Sequence, residues 1–461
     1  MTFRIDAGGT GEYCDGITRR SFVQLGVAGL TTLGLGDVLR AKAQSAPRGE
    51  SGSKKAAILI WLDGGPSHLD LYDLKPQAPA EVRGLWKPIR TNVPGIEISE
   101  LFPKQARIAD KFSIVRSLSH RTGDHFAGGH RMLTGKDLGV GGANTAGRFP
   151  SLGSIVARQR GPNRRGMPAY IAVPIAASIG LVPGYFGGNW LGAEYDPFQT
   201  GGDPNAKDFR VENVNLAPGL TIDRLDDRRT LMQHLDKVPR ALDSVGRFAT
   251  LDKFDQDAYE FVSGKQARQA FDMEREDSKI RDAYGRHSWG QSALLARRLV
   301  EAGATFVTVH LGGWDHHWNL QSGMESNLPI VDSLLSGLLT DLEQRGLFDS
   351  TLVILCGEFS RTPRMNDGGN GGTPGSMGTP GRDHWGDAMF CFLAGGGIRG
   401  GQVVGSTDAK GHRPLTRPVG PENIHATIYK LLGIDPTLKL LDHNGRPTAI
   451  FDDPTPINEL I

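Results

Sequence analysis

The chain of 461 residues is long enough for one large domain or two ordinary ones. Its hydrophobic fraction of 38% and its charged fraction of 22% predict a folded core and exclude an intrinsically disordered chain. With 52 Lys and Arg against 51 Asp and Glu, the net charge of +1 gives no electrostatic reason to expect nucleic acid as a partner.

The first 43 residues have the layout of an export signal. Arg19-Arg20 precedes a mildly apolar run over residues 22–35, and residues 41–43 read Ala-Lys-Ala, a cleavage pattern of small residues. The run is shorter than the roughly 20 residues that cross a bilayer, so we expect no permanent membrane span. The segment resembles a bacterial twin-arginine signal, which predicts a periplasmic or extracellular protein. The alternative is an ordinary amphipathic N-terminal helix.

Strands and helices alternate after a Ser/Gly/Lys-rich linker over residues 44–55. Buried strands are predicted by continuous apolar runs at residues 56–62, 112–118 and 169–173. Further along the chain, helices are predicted over residues 291–302, 327–345 and 422–432. Strands are predicted between them over residues 305–311, 351–355 and 387–393. This order predicts an α/β fold over residues 56–461, with a central, mostly parallel sheet flanked by helices.

Two further features belong to this domain. The highly charged segment over about 221–287 is predicted to be a helical insertion that packs on the sheet. Cys356 and Cys391 both lie in apolar runs, so we expect buried free thiols rather than a disulfide.

Acidic residues and histidines follow the predicted strands where these strands end. Ligands bind outside the carboxyl ends of the strands in an open parallel sheet, so these side chains should meet at one edge. They are Asp63, Asp315, His317, Glu358, Asp383 and His384. Taken singly, each has a structural explanation such as a helix cap or a solvated loop residue. Together they predict a divalent metal site, with zinc or calcium as the ion.

The stretch Asp315-His316-His317 places two imidazoles side by side. Neighbouring side chains of an extended backbone point to opposite sides, so Asp315 and His317 should share a side. We therefore expect His317 to face the metal site and His316 to pack, bond a carbonyl or meet substrate. Asp383 is expected either to fix the second ring nitrogen of His317 or to bind the metal itself.

The order of these segments resembles that of the alkaline phosphatase and sulfatase superfamily. Asp63 matches a metal-binding Asp after the first strand, Asp315 with His317 matches an Asp with a downstream His, and His384 matches a late His. The resemblance implies the fold of that superfamily. It also implies metal-dependent hydrolysis of a phosphate or sulfate ester, with a polysaccharide ester among the expected substrates.

Four longer motifs resemble the domain-of-unknown-function 1501 family of bacterial proteins. They are LDGGPSH at residues 62–68, GWDHH at 313–317, GEFSRTP at 357–363 and GRDHW at 381–385. The likeness covers most of the chain after about residue 55 and implies fold and export rather than an activity.

One departure from the superfamily concerns the metal ligands. Glu358-Phe359 stands where the phosphatases have Asp-His. Because Phe359 cannot bind a metal, a second metal site would lack one nitrogen ligand.

The other departure concerns the nucleophile. The matching segment, residues 123–135, has neither Ser nor Cys about ten residues before Gly135, where His125 stands instead. His125 is therefore a candidate nucleophile or base, and Ser67 and Thr122 are alternatives. Water can also replace a side chain, since zinc lowers the pKa of bound water to about 7. His residues at 120, 125 and 130 do not fall on one helix face, which favours a loop here.

Two arginines complete the predicted site. Arg361 or Arg131 would bind the oxyanion of the ester through forked guanidinium donors. The competing hypothesis is a non-catalytic binding protein that retains the fold with a degenerate active site.

Overall fold

The computed structural model describes most of the chain from Lys54 onward. The described residues are 54–137, 148–212, 224, 227, 256, 259–261, 263–368 and 379–461. The predicted export signal, most of the linker and most of the predicted helical insertion lie outside them.

A sheet of eight strands forms the centre of the domain. In chain order these are β1 (Ala56–Leu62), β2 (Phe112–Leu118), β3 (Tyr170–Val173), β4 (Phe198–Gln199), β5 (Phe306–Leu311), β6 (Thr351–Cys356), β7 (Met389–Gly395) and β8 (Gln402–Val404). Their order across the sheet is β8-β2-β7-β6-β1-β5-β3-β4. All run parallel except β7, which is antiparallel to both of its neighbours. The predicted α/β fold with a mostly parallel central sheet is confirmed.

Both faces of this sheet are covered, which explains the continuous apolar runs in the sequence. Along β1, Ile58 and Ile60 belong to the core on one face, and Leu59 and Trp61 belong to the core on the other. All residues of this strand are at most 2% exposed. The period of two therefore places apolar side chains on both sides of the strand.

Eight α-helices of four residues or more lie within the described residues. They are α1 (His68–Leu71), α2 (His125–Thr134), α3 (Leu152–Arg160), α4 (Lys265–Phe271), α5 (Ser278–Tyr284), α6 (Ser288–Ala302), α7 (Leu320–Gln344) and α8 (Pro421–Leu431). Leucines of α6 and α7 fill the core on one face, and apolar residues of α2, α3 and α8 fill the other. No described helix is long and apolar enough to cross a bilayer.

Four two-stranded ladders lie outside this sheet in the described part of the chain. They pair Pro88–Arg90 with Glu97–Ser99, Ser360–Arg361 with His384–Trp385, Ser406–Thr407 with Pro414–Thr416, and Lys439–Leu441 with Pro447–Ala449. Cys356 and Cys391 are buried free thiols, as predicted.

Two predicted elements differ from the structure. Helix α7 begins at Leu320 rather than at 327, because Leu320, Met324 and Leu328 continue its buried stripe at a spacing of four. The segment from His125 was predicted to be a loop and is the helix α2. Asp124 caps it by accepting from the Ala127 N–H, so the helix forms although its histidines lie on different faces.

Candidate metal centre

Three adjacent parallel strands, β6, β1 and β5, end at the same edge of the sheet. The loop after β5 carries Asp315 and His317, and Glu358 follows β6. His384 reaches this edge because it precedes β7, which runs in the opposite direction. His125 begins the helix that follows β2. The topology thus gathers residues that are more than 250 positions apart in the chain.

Four of these side chains converge. Oδ1 of Asp315 lies 3.1 Å from Nε2 of His317 and 3.1 Å from Nε2 of His384. The two Nε2 atoms lie 2.9 Å from each other. Nε2 of His125 lies 3.4 Å from Oδ2 of Asp315. We call these four residues the centre.

The other ring nitrogen of each histidine in the centre faces a hydrogen-bond acceptor. At 2.7 Å in each case, these acceptors are Glu358 Oε1 for His125, Asp383 Oδ1 for His317 and the backbone carbonyl of Gly123 for His384. An Nδ1–H that donates to such an acceptor leaves the lone pair of Nε2 directed at the centre. Three ring lone pairs and a carboxylate would then face one another, an arrangement that a bound cation stabilises.

The donor set and its accessibility both fit a divalent metal. Metal–ligand bonds of about 2.0–2.2 Å separate neighbouring donor atoms by roughly 3–3.5 Å. The donor atoms of His125, Asp315 and His384 all lie within 4.8 Å of one another. The Asp315 side chain is 36% exposed, and those of His317 and His384 are each 22% exposed. A possible His/Asp/His metal site is therefore present, and solvent reaches it.

Hydrogen bonds control the protonation of the centre. Burial on its own would raise the pKa of Asp315, but hydrogen bonds from His125, His317 and His384 hold it well below its usual range. Burial would lower the pKa of His125, but hydrogen bonds to Asp315 and Glu358 raise it to about 9. Protons and a metal ion therefore compete for the same lone pairs.

Asp63 and Glu358 lie deeper in the protein, at 3% and 0% exposure. Asp63 accepts hydrogen bonds from Ser178 Oγ at 2.9 Å and from the Ile179 N–H at 2.8 Å, and its Oδ2 lies 3.1 Å from His310 Nε2. Burial raises the pKa of Glu358, and the charge of Asp63 adds to this. The structure brings Glu358 to the centre as the acceptor for His125, whereas other groups satisfy Asp63.

His310 is a neighbour of this site that the sequence analysis missed. It pairs with Trp61 on the adjacent strand, two residues before Asp63. In the sequence, His310 stands out only as a polar residue near the end of an otherwise apolar strand. Its contact with Asp63 depends on the order of the strands in the sheet, which the sequence does not show.

Phe359 and Arg361 form a wall of the centre. The Phe359 ring centroid lies 4.9 Å from that of His125 and 4.4 Å from that of His384. Arg361 donates to Asp315 Oδ1 at 2.5 Å, and its side chain is 0% exposed. Arg361, predicted to bind an oxyanion, is thus enclosed by protein groups.

Three other predicted residues are engaged elsewhere. Ser67 is buried and donates to Asp70 Oδ2 at 2.5 Å. Arg131 donates to Glu422 Oε2 at 2.8 Å and to a backbone carbonyl at 2.6 Å. The Thr122 hydroxyl accepts a long 3.4 Å hydrogen bond from the Asp124 N–H. Among the described residues, none of these three side chains hydrogen-bonds to the centre.

The two neighbouring histidines point in different directions, as expected. His317 contacts Asp315, Asp383 and His384, whereas the ring of His316 packs near Trp314. Burial lowers the pKa of His316 to about 4. The backbone is not simply extended, since the N–H groups of residues 316 and 317 each donate to the carbonyl two residues earlier. The side chains nevertheless alternate.

The model of the family described as "Protein of unknown function (DUF1501)" matches residues 54–461. The chain belongs to this family. The match contains all four long motifs and every residue of the centre. No curated protein matches the chain.

Several solved structures are similar to this DUF1501 chain. The PsFucS1 sulfatase from Pseudoalteromonas sp. is 13% identical, with a TM-score of 0.36, over 86% of this chain and 70% of that one. The lipoteichoic acid synthase LtaP from Listeria monocytogenes is 10% identical, with a TM-score of 0.36, over 90% and 81%. An alkaline phosphatase superfamily protein from Vibrio parahaemolyticus is 9% identical, with a TM-score of 0.35, over 84% and 68%. Likeness at this level identifies neither a substrate nor an activity.

Proposed function

We propose that this protein is an exported, metal-dependent hydrolase of phosphate or sulfate esters, with polysaccharide esters among its substrates. One observation carries the proposal. The Nε2 atoms of His125, His317 and His384 each lie 3.1–3.4 Å from a carboxylate oxygen of Asp315, and two of them lie 2.9 Å from each other. They meet at the edge of the sheet where the parallel strands end, and solvent reaches them. A site with protein ligands and an accessible side is the arrangement that hydrolytic metal centres use.

Zinc fits this donor set better than calcium. Zinc binds imidazole nitrogen together with carboxylate oxygen, whereas calcium takes six to eight oxygen ligands. The centre offers three nitrogens and one carboxylate. When bound, such an ion acts as a Lewis acid and lowers the pKa of bound water to about 7.

The residues of the centre have separate roles in this proposal. Asp315, His317 and His384 hold the ion. His125 presents its Nε2 lone pair as a fourth donor, and Glu358 keeps the proton of this ring on Nδ1. Fixing the second ring nitrogen orients a ligand histidine and raises its basicity.

Water is the proposed nucleophile. The Ser67 hydroxyl is 0% exposed and already donates to Asp70. With the His125 lone pair directed at the centre, this histidine is better placed as a ligand than as an attacking group. Hydrolysis then transfers the phosphoryl or sulfuryl group to water without a covalent enzyme intermediate.

A second candidate function is binding without turnover. The observation that favours it is the engagement of Arg361 and Arg131 with protein groups, which leaves the described part of the site without an arginine directed at an oxyanion. Such a protein would bind the metal and an anionic ligand but release no product.

Turnover by the zinc-loaded protein separates the two functions. We expect release of p-nitrophenol from p-nitrophenyl phosphate or p-nitrophenyl sulfate, and loss of this activity in Asp315→Asn. His316→Ala is the matched control, because it changes a neighbouring side chain outside the centre. Zinc binding without turnover of either ester would favour the binding protein, and failure to bind zinc would refute both.

A further inference from the structure

The side chain of Arg361 is 0% exposed, and so is that of Arg382. Arg361 follows β6 and pairs with His384 in a two-stranded ladder. Burying a guanidinium is costly unless its N–H groups are hydrogen-bonded and its charge is paired. Its partners therefore indicate what this residue does.

The guanidinium of Arg361 joins three loops of the site. Nε donates to the Gly65 carbonyl at 2.8 Å, and Nη1 donates to the Arg382 carbonyl at 3.1 Å. Nη2 donates to the Gly64 carbonyl and, at 2.5 Å, to Asp315 Oδ1. Asp315 is the carboxylate of the centre, and the other partners lie on the loop after β1 and just before His384.

We propose that Arg361 is a positioning residue of the centre: it fixes the carboxylate of Asp315 and joins the loops that carry the ligands, and it does not bind substrate. This inference rests on the metal centre of the proposed function. Four of the five guanidinium N–H groups have protein acceptors, and the side chain is closed to solvent. An ester oxyanion would have to displace these contacts to reach it.

The direction in which zinc affinity changes tells whether Arg361 orients Asp315 or acts only through its positive charge. A positive guanidinium beside a metal ion disfavours the ion, so removing only its charge should tighten zinc binding. Removing a group that orients a ligand should instead weaken binding, typically by about 10–100-fold. The two explanations thus predict opposite changes for the same neutral substitution.

Arg382 supplies a matched control. Its side chain is equally buried, donates to Asp70 Oδ2 at 3.0 Å and binds backbone carbonyls of residues 82, 83, 362 and 363. Its carboxylate partner lies outside the centre. Substitution of Arg382 therefore reproduces the loss of a buried arginine without releasing a metal ligand.

The experiment measures zinc affinity by competition with a chromophoric chelator, on protein shown to be folded by circular dichroism. Arg361→Lys keeps the charge but loses the planar guanidinium with its several N–H donors. Arg361→Gln loses the charge but keeps one amide donor group. Either variant, if it folds, therefore tests the positioning role. We expect each to weaken zinc binding by about 10–100-fold. Arg382→Lys and Arg382→Gln should change the midpoint of unfolding but leave the zinc affinity of the folded protein unchanged.

Coupling to Asp315 completes the test. In an Asp315→Asn background, Arg361→Lys should cause a smaller loss of zinc affinity than in the wild type, because the part of its effect that acts through that carboxylate is already gone. Tighter binding in Arg361→Gln, or an unchanged zinc affinity with a raised KM for the ester, would overturn the inference and leave the metal centre intact. A wild-type protein that binds no zinc would instead refute the proposed function.

Discussion

His317 is held at both ring nitrogens by carboxylates, with Nδ1 2.7 Å from Asp383 Oδ1 and Nε2 3.1 Å from Asp315 Oδ1. One carboxylate orients the ring and the other belongs to the centre, which is the usual relation between a ligand histidine and its supporting acceptor. The neighbouring His316 takes no part in this network. The first prediction uses this difference.

Replacement of His317 should remove metal, and replacement of His316 should not. His317→Ala deletes an Nε2 donor of the centre. We expect zinc affinity to fall by more than roughly 100-fold, the most that is usually lost when a residue that only supports a metal ligand is removed. His316→Ala removes a ring that packs near Trp314 and should leave zinc content unchanged. Zinc content after dialysis against a chelator measures both. The reverse order of sensitivity would show that the ligand has been assigned to the wrong histidine.

Asp383 should act through His317 rather than on the metal. Asp383→Ala removes the acceptor of the Nδ1–H, so we expect zinc affinity to fall by about 10–100-fold. Asp383→Asn keeps a carbonyl oxygen that can accept the same hydrogen bond and should lose less. Both variants are compared with His317→Ala by zinc titration. A loss in Asp383→Ala as large as that in His317→Ala would identify Asp383 as a direct ligand.

Ser67 should support the fold but not the chemistry. Ser67→Ala leaves the buried Asp70 without one donor, which should lower the free energy of unfolding by about 1–3 kcal/mol. Ester turnover per zinc-loaded molecule should stay close to that of the wild type, because the hydroxyl does not contact the centre. Urea unfolding and single-substrate kinetics measure the two effects. Abolished turnover in a folded, zinc-loaded Ser67→Ala protein would restore Ser67 as the nucleophile.

Buried histidines outside the centre should make the protein sensitive to acid. Burial lowers the pKa of His425 to about 4, and its Nε2 lies 2.7 Å from the Met132 carbonyl. Between about pH 6.5 and 4 the unfolded chain binds a proton at this residue and the folded chain does not. Stability is therefore complete above pH 6.5 and lost as the pH falls, by up to about 3 kcal/mol from this group.

His425→Gln tests this linkage. An amide N–H can replace the donor to Met132, and the side chain no longer titrates. The free energy of unfolding from urea titrations at several pH values should fall less steeply below pH 6.5 in the variant than in the wild type. Identical slopes for the two proteins would contradict the assignment.

Export should depend on Arg19-Arg20. Changing both residues to Lys keeps the charge but removes the twin-arginine pair, so we expect unprocessed precursor to accumulate in the cytoplasm of a bacterial host. Fractionation and immunoblotting of the wild type and the double variant measure this. Normal processing and export of the variant would reject the twin-arginine route.

The sequence by itself determined the architecture of the domain and the edge at which its polar residues meet. Apolar runs that are buried on both faces predict a parallel sheet, and strands of such a sheet end at one edge. Local alternation also predicted that His317 and Asp315 share a side. The strand prediction depends on a periodicity of a few residues that strand geometry fixes, whereas Asp315 and His317 share a side although the backbone between them is turned rather than extended.

Only the tertiary structure decided how the remaining groups are used. Arg361 turned out to be enclosed by Gly64, Arg382 and Asp315, and Asp63 by Ser178, Ile179 and His310. His125 is directed at the centre because helix α2 begins there and Glu358 holds its ring. Several of these contacts join loops more than a hundred residues apart. No local pattern records which loops approach each other, because strand order and side-chain packing determine it, and the need to satisfy every buried polar group then fixes the partners.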